Sequence, residues 1–419
     1  MSRYTEHALD NDHHEPQRIA IPLLTSESQK HPAGQSIARR FAMRISLFYA
    51  STFGIIGVHL PFFPVWLKAI GVDVSWIGFI TAAPSLSRFT VLPFVTATAE
   101  RRQILRGTMI ALAFITAVGF AVLGLLRDPL TILIVYVVIA CLWTPLSPLT
   151  DGYALKGVTR HGLDYAQMRL WGSASFVVFA MIAGVLFKVI DPQNLIWIIV
   201  AVAVLSAVVG LGIVPLDAPP AGTAPQGRAS GLLRKPLFLA IIGASALIQG
   251  SHAAYYAFSS ITWQNAGFGG FAIAALWSLG VVAEIVVFAI SPRLALSPTV
   301  MVLIGAVSAV VRWAITAQEP RIELLTAMQV MHGLTFGITQ VGTVALMVRN
   351  VPHHMLASAQ GYMVASQGAV TSLTMMLSGL IYARVGEGVY YAMAVMAFAG
   401  GLIMVAARQR LDAHHAMTD

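Results

Sequence analysis

From Phe41 onward, apolar runs alternate with short polar breaks, and each run is about as long as the ~20 residues a helix needs to cross a bilayer. Twelve such segments are predicted as helices: Phe41 to Leu67, Val74 to Thr98, Ile104 to Leu126, Leu130 to Leu155, Tyr165 to Phe187, Leu195 to Val214, Pro236 to Trp263, Phe268 to Ile290, Pro298 to Ala317, Ile322 to Val348, Met355 to Tyr382 and Val389 to Ala407. The one long polar interruption, Pro215 to Lys235, opens PLDAPPAGTAPQGRASG and is too rich in Pro and Gly to continue a helix. It divides the segments into two sets of six of nearly equal length, the pattern of a duplicated unit. The predicted fold class is an all-α membrane protein of two pseudo-symmetric six-helix bundles, 39–214 and 236–410. A cytoplasmic linker, 215–235, joins them. A disordered tail, 1–38, precedes them and a short tail, 411–419, follows.

Composition and charge sharpen this picture. Hydrophobic residues make up 57% of the chain and charged ones 11%, with a mean hydropathy of +0.75; soluble domains carry roughly 25% charged residues. The net charge of +8 is scattered between apolar segments with no basic patch or interleaved aromatics, which excludes a nucleic-acid partner. The bases read instead as topology signals. Fifteen, among them Arg39, Arg101, Lys156, Arg234, Arg349 and Arg408, flank the chain ends and even-numbered loops, against five in the odd-numbered ones: Lys68, Arg127, Lys188, Arg321 and Arg384. Since lysine and arginine gather on the cytoplasmic side, both termini and the linker are expected there. The lone Cys141 cannot form an intrachain disulfide. The polar N-terminal stretch lacks the apolar core of a signal peptide, and its adjacent His13 and His14 read as solvated rather than as metal ligands.

With loop and tail charges set aside, Arg88, Asp151, Arg169, Glu284 and Arg312 remain in or at the edges of predicted helices. Glu284 is the least expected, a single acid among fourteen uncharged residues from Leu276 to Ile290. A charge at the bilayer centre costs ~2.5–3.5 kcal/mol even on lenient scales, so an intramembrane acid points to function and needs a partner or a proton. Arg312 and His332, on the next two segments, are its expected partners. Asp151 closes SPLTD, where Pro145 and Pro148 should interrupt the fourth helix. Arg169 opens the fifth, with Gly172, Ser173 and Phe176 on its face. Arg88 shares a polar face with Thr81, Pro84 and Ser85, as a snorkelling or a cavity residue.

Polar stripes at helical spacing mark the seventh segment (Gln249, His252, Tyr256, Ser259) and the eleventh (Gln360, Gln367, Thr371, Thr374, Ser378). Stripes in single helices serve packing as readily as function, but a set of them is what an aqueous central cavity requires. Tyr49 and His59 can also line it, although a lone histidine such as His59 is more often a satisfied packing residue. No GxSxG, HExxH or phosphate-binding glycine loop occurs, so neither an enzyme nor a cofactor or metal site is expected.

SPLTD from Ser147, LDYAQMRLWGS from Leu163, QGSHAAYYAFSSITWQ from Gln249, LWSLGVVAE from Leu276 and VRW from Val311 resemble the 3-phenylpropionic acid transporters of the major facilitator superfamily. The likeness runs from about Phe41 to Arg410. That family in turn is similar to the lactose permease group of sugar:proton symporters. The resemblance implies that Asp151 and Arg169 match that group's substrate-binding acid and arginine. Glu284, Arg312 and His332 match its residues on helices eight, nine and ten. Two positions depart from the pattern: Phe176 replaces a sugar-stacking tryptophan, and Thr335 replaces a proton-carrying glutamate. The first weakens a galactoside assignment; the second moves the proton site, most economically to Glu284.

The resulting expectation is a monomeric, proton-coupled symporter of a small organic solute in a bacterial inner membrane, working by alternating access. Rocking of the bundles would change the separation of Glu284 from Arg312 and so switch proton binding at the acid. Glu284, Arg312 and His332 are the expected coupling residues; Asp151, Arg169, Phe176, His252, Tyr256 and Trp277 line the expected substrate site, with Trp143 nearby. An aromatic carboxylate such as 3-phenylpropionate is the first candidate, since Arg169 supplies a cation and Phe176 a flat apolar face. An ionised Asp151 beside Arg169 argues instead for a neutral sugar or nucleoside. A proton-coupled exporter and a membrane ligand sensor are the remaining alternatives, the latter without an output domain.

Overall fold

The computed structural model describes residues 32–216, 229–352 and 355–413, and every regular element among them is helical. His13, His14, the last residues of the chain and most of the Pro215 to Lys235 linker lie outside the described residues. The described part of the expected N-terminal tail is already helix, because α1 runs Pro32–Ala69, through Pro61 and Pro64.

Prolines punctuate the spans that follow. The second is split into α2 (Val74–Thr81), α3 (Ala83–Thr90) and α4 (Leu92–Arg101); Pro84 and Pro93 sit in the first turns of α3 and α4, and the chain bends 45° between those two helices. Asp73 caps α2 by accepting from the Ser75 amide. After α5 (Leu105–Leu125), the fourth span breaks at Thr144 and Pro145 into α6 (Pro129–Trp143) and α7 (Leu146–His161), where the two prolines of the sequence predict a break. Asp164 caps α8 (Tyr165–Leu186), and α9 (Ile196–Leu211) completes the first six.

The second set shows the same interruptions. α10 (Pro236–Gly250) and α11 (Ala253–Asn265) share the seventh span, and α12 (Gly270–Ile290) and α13 (Pro298–Thr316) are the eighth and ninth. The tenth consists of α14 (Ile322–Val330), a π-helical turn at Gly333–Ile338 and α15 (Thr339–Asn350). The last apolar stretch, Ser358–Ala413, has 56 residues, more than twice what one crossing needs. At Gly386, whose φ of +55° favours glycine, it breaks into α16 (Leu356–Val385) and α17 (Val389–Ala413). The described chain therefore makes twelve spans.

Lipid tails are as apolar as leucine, so close approach through small residues, not hydrophobicity, drives these helices together. In the first half α1 packs on α8 and α9; in the second α17 packs on α10 and α13. The halves meet where α8 faces α12, where α16 faces α2 and α3, and where α1 faces α11. At the α8–α12 contact a Cβ on Gly184 would stand 2.6 Å from the Gly270 carbonyl, and one on Gly270 2.7 Å from the Gly184 carbonyl. Gly78 and Gly379 make a similar contact between α2 and α16. Lys68 and Asn265 hydrogen-bond across the halves at the same level. All three contacts lie at the end remote from the described termini, so the molecule is closed there.

Candidate functional site

Arg169 lies 15 residues before Gly184 on α8, and Glu284 lies 14 residues after Gly270 on α12. At ~1.5 Å per residue both sit ~21–23 Å from the glycine contact. The two facing helices thus hold a base and an acid at one depth. Arg169 is the cation whose charge reaches Glu284 across the space between the halves. That space is accessible: Asp151, Arg169 and Glu284 keep 33%, 31% and 23% of their side-chain surface free.

On the first-half wall, the Asp151 carboxylate accepts two phenol hydrogen bonds at Oδ1, from Tyr49 at 2.6 Å and from Tyr165 at 2.9 Å. Arg169 Nε stands 3.7 Å from the same oxygen, a Coulombic contact too long for a hydrogen bond. The guanidinium lies over the Phe53 ring instead, 4.0 Å from its centroid. Gly172 leaves room for this: a Cβ there would stand 3.0 Å from Arg169 Nη1 and 3.1 Å from the Phe53 ring. Phe176 is buried and presses its backbone on Gly57, so the aromatic face beneath Arg169 is Phe53. Arg88, on α3, is exposed.

The second-half wall is packed differently. Arg312 is fully enclosed, and its guanidinium reaches His332 Nδ1 at 2.9 Å, Thr335 Oγ1 at 3.1 Å and Gln329 Oε1 at 3.3 Å. Tyr255 and Trp313 stack on it, with ring centroids 4.8 and 4.5 Å away. His332 Nε2 lies 3.9 Å from Glu284 Oε2. The expected direct pairing of Glu284 with Arg312 is therefore replaced by a chain in which His332 stands between them. Thr335, where the resembling permeases carry an acid, links Arg312 to His252, whose Nε2 is 3.0 Å from its hydroxyl. His252 is buried and shares its ring surroundings with Trp313 and Tyr256. Tyr256 stacks on Trp277, whose indole N–H donates to Ser260 at 2.8 Å.

The polar stripes also meet. Gln249, on α10, donates to the Phe336 carbonyl at 3.3 Å and reaches Gln340 at 3.5 Å, and Gln367, on α16, donates to Ser245 at 2.9 Å. The side-chain oxygen of Gln249 is buried without a partner. His59 and Trp143 do not join the site: His59 hydrogen-bonds with Tyr136 at 2.6 Å inside a nest of Phe63, Phe120 and Trp143.

Sequence reasoning passed over Phe53, Tyr165, Tyr255 and Gln329. Each stands three or four residues from a residue it singled out: Phe53 from Tyr49, Tyr165 from Arg169, Tyr255 from His252, and Gln329 from His332. That spacing puts members of each pair on one helix face, the available signal.

The comparisons with known proteins agree with this architecture. The model of the MFS_1 like family matches residues 42–393. The chain is 31% identical over 362 residues to the probable 3-phenylpropionic acid transporter of Escherichia coli (strain K12), covering 84% of this chain and 94% of the relative. With the maltose permease of Geobacillus stearothermophilus it shares 23% over 375 residues, 87% and 94% of the two chains. Among solved structures, the nucleoside transporter NupG superposes with a TM-score of 0.75 at 16% identity, over 87% of this chain and 98% of that one. A bacterial homologue of the human lysosomal transporter Spinster does so with 0.66 at 13%, over 90% and 97%. At such identities the solved structures speak for the fold alone. A family match across most of the chain, a relative that covers nearly its whole length and twelve spans in two halves place it together: the chain belongs to the MFS_1 like family and is a multi-pass membrane transporter of the major facilitator type.

Proposed function

We propose that the chain is a proton-coupled symporter of a small aromatic carboxylate of the 3-phenylpropionate kind. In this reading it works as a monomer in a bacterial inner membrane by alternating access, with both termini cytoplasmic and the bundles 39–214 and 236–410 rocking about the site. The observation that carries the reading is Arg169. Its guanidinium lies flat on Phe53, makes no hydrogen bond among the described residues, and has a third of its surface open to the space between the halves. A carboxylate needs such a planar fork, and an aromatic ring needs the apolar faces of Phe53, Tyr256 and Trp277 around it. The name of the Escherichia coli relative supports the same solute class.

Glu284 is the proton site in this reading. Ionised, it is the anion that faces Arg169; protonated, it leaves that cation to the solute, so proton and solute anion travel together. His332 and Arg312 behind it set its orientation. Substituting Arg169→Gln tests the solute assignment: uptake affinity for 3-phenylpropionate should fall far more than that for the uncharged 3-phenylpropionamide. Equal losses would remove the carboxylate reading.

A second reading has its own support. The cluster of Gln249, Gln340 and Gln367, with one amide oxygen unpaired, suits a hydroxyl-rich neutral solute, and maltose appears in the name of the Geobacillus stearothermophilus relative. Gln249→Leu should then abolish uptake of a neutral sugar or nucleoside while Arg169→Gln leaves it intact.

A further inference from the structure

Asp151 on α7 and Arg169 on α8 are an acid and a base on successive helices, yet they are not locked together. All the donors that reach the acid at hydrogen-bond distance among the described residues are phenols: Tyr49 from α1 and Tyr165 from the first turn of α8, both on Oδ1. Tyr49 is fully buried, so its hydroxyl has little other place to go. One turn further along α1, Phe53 takes the guanidinium on its ring face. Helix α1 therefore offers a hydrogen-bond donor to the acid and an apolar shelf to the base, four residues apart, and keeps the two charges at 3.7 Å rather than in a bidentate pair.

We propose that Tyr49 and Tyr165 are specificity-determining positioning residues: they hold the Asp151 carboxylate off Arg169, so that the guanidinium fork stays available to the carboxylate of the transported acid. The inference rests on the reading of Arg169 given above and adds to it a reason why a neighbouring acid does not defeat anion binding. Two phenol donors spread the negative charge of Asp151 and fix its rotamer. Without them the carboxylate turns to the remaining donor within reach, Arg169, and becomes an internal competitor of the solute. An uncharged analogue, which does not use the fork, is indifferent to that change.

Binding of 3-phenylpropionate and of 3-phenylpropionamide to the purified full-length protein, measured by calorimetry, tests this. In Tyr49→Phe/Tyr165→Phe the Kd for the acid should rise about tenfold, the scale of one charge-assisted hydrogen bond, while that for the amide stays within about twofold. Adding Asp151→Asn to that variant removes the competitor and should return the Kd for the acid to about its starting value, which a merely structural role of the tyrosines would not do. The single variants Tyr49→Phe and Tyr165→Phe, each leaving one donor in place, should show smaller shifts in the same direction. Parallel losses for acid and amide in the double variant, or no rescue by Asp151→Asn, overturn the proposal. Arg169→Gln separates the two levels. If it is acid-selective while the tyrosine variants are not, the inference alone fails; if it weakens acid and amide equally, the reading of Arg169 falls and the inference with it.

Discussion

In the first half, Asp151 and Arg169 keep about a third of their side-chain surface free, and Arg169 makes no hydrogen bond among the described residues. In the second, Arg312 is wholly enclosed and three side chains accept from it. Both halves carry an arginine on an aromatic shelf, but one is open and the other is enclosed and held by three side chains, with its Nε left unpaired. An enclosed guanidinium cannot meet a solute without opening the packing around it, whereas an open one can. Glu284 lies between the two regimes, 3.9 Å from His332 yet with 23% of its side-chain surface free. The contrast suggests a division of labour, with the first half reading the solute and the second holding the proton.

The largest effect should come from neutralising the residue at that boundary. Glu284→Gln imitates a permanently protonated acid, so accumulation of solute against its gradient should vanish while exchange of external for internal solute survives, because exchange moves no net proton. Counterflow and uphill uptake in the same proteoliposomes check this. Uphill uptake by the variant would move proton coupling away from the second half and dissolve the division.

Next comes the stability of the two arginines. Arg312→Ala leaves His332 Nδ1 without its donor, at a cost of ~1–3 kcal/mol for a buried group left unpaired, and takes one of their partners from Gln329 and Thr335, which keep Tyr255 and His252. Loss of monodisperse protein or a large fall in melting temperature in detergent is expected. Arg169→Ala removes an open side chain and should stay within ~1 kcal/mol of the parent. Equal destabilisation would mean that the first-half site is as structural as the second.

The fold was largely legible along the chain because membrane helices announce themselves by length and apolarity, and Pro145 broke the fourth span where the sequence has its two prolines. The last stretch likewise splits between the two predicted segments, Met355 to Tyr382 and Val389 to Ala407. The π-helical turn at Gly333–Ile338 was not, since a widened turn carries no periodic mark of its own. The site was legible as residue types but not as pairs. Tyr49 meets Asp151 across 102 positions and His252 meets Thr335 across 83, and no single-helix periodicity fixes such a register. Glu284 and Arg312 were paired by charge alone; packing set His332 between them, because its two ring nitrogens can serve an acid and a guanidinium at once.

The two regions are brought together by the α8–α12 contact, and a side chain there should separate binding from transport. A Cβ on Gly270 meets Phe187 Cβ at 2.4 Å and the Gly184 carbonyl at 2.7 Å, so Gly270→Leu cannot close that end as seen here without moving backbone. Transport should fall by about tenfold, the rate equivalent of ~1.4 kcal/mol of overpacking. Solute affinity should stay within about twofold, since Arg169 and Glu284 are ~21–23 Å away. Affinity lost in step with transport would show that closure at this end builds the site rather than gating it.

The smallest difference separates two histidines in like surroundings. His59 and His332 are both buried at 6% exposure and both sit among aromatic rings. His59 hydrogen-bonds with the Tyr136 hydroxyl and touches no charged group, while His332 bridges Glu284 and Arg312. Removing the Tyr136 hydroxyl leaves His59 Nε2 without its partner in an apolar nest, worth ~1 kcal/mol or a little more. Tyr136→Phe and His59→Gln should therefore lower the melting temperature by a few degrees and leave the ratio of internal to external solute at steady state unchanged. His332→Gln keeps a polar group of similar reach but cannot serve both neighbours through a ring. It should lower that steady-state ratio, by loosening the orientation of Glu284, with a smaller change in melting temperature than Arg312→Ala. The informative quantity is the ratio, because a transporter that is merely less stable reaches the same gradient more slowly. A lowered ratio in His59→Gln, at matched protein levels, would place proton handling in the first half as well and end the division of labour between the two walls.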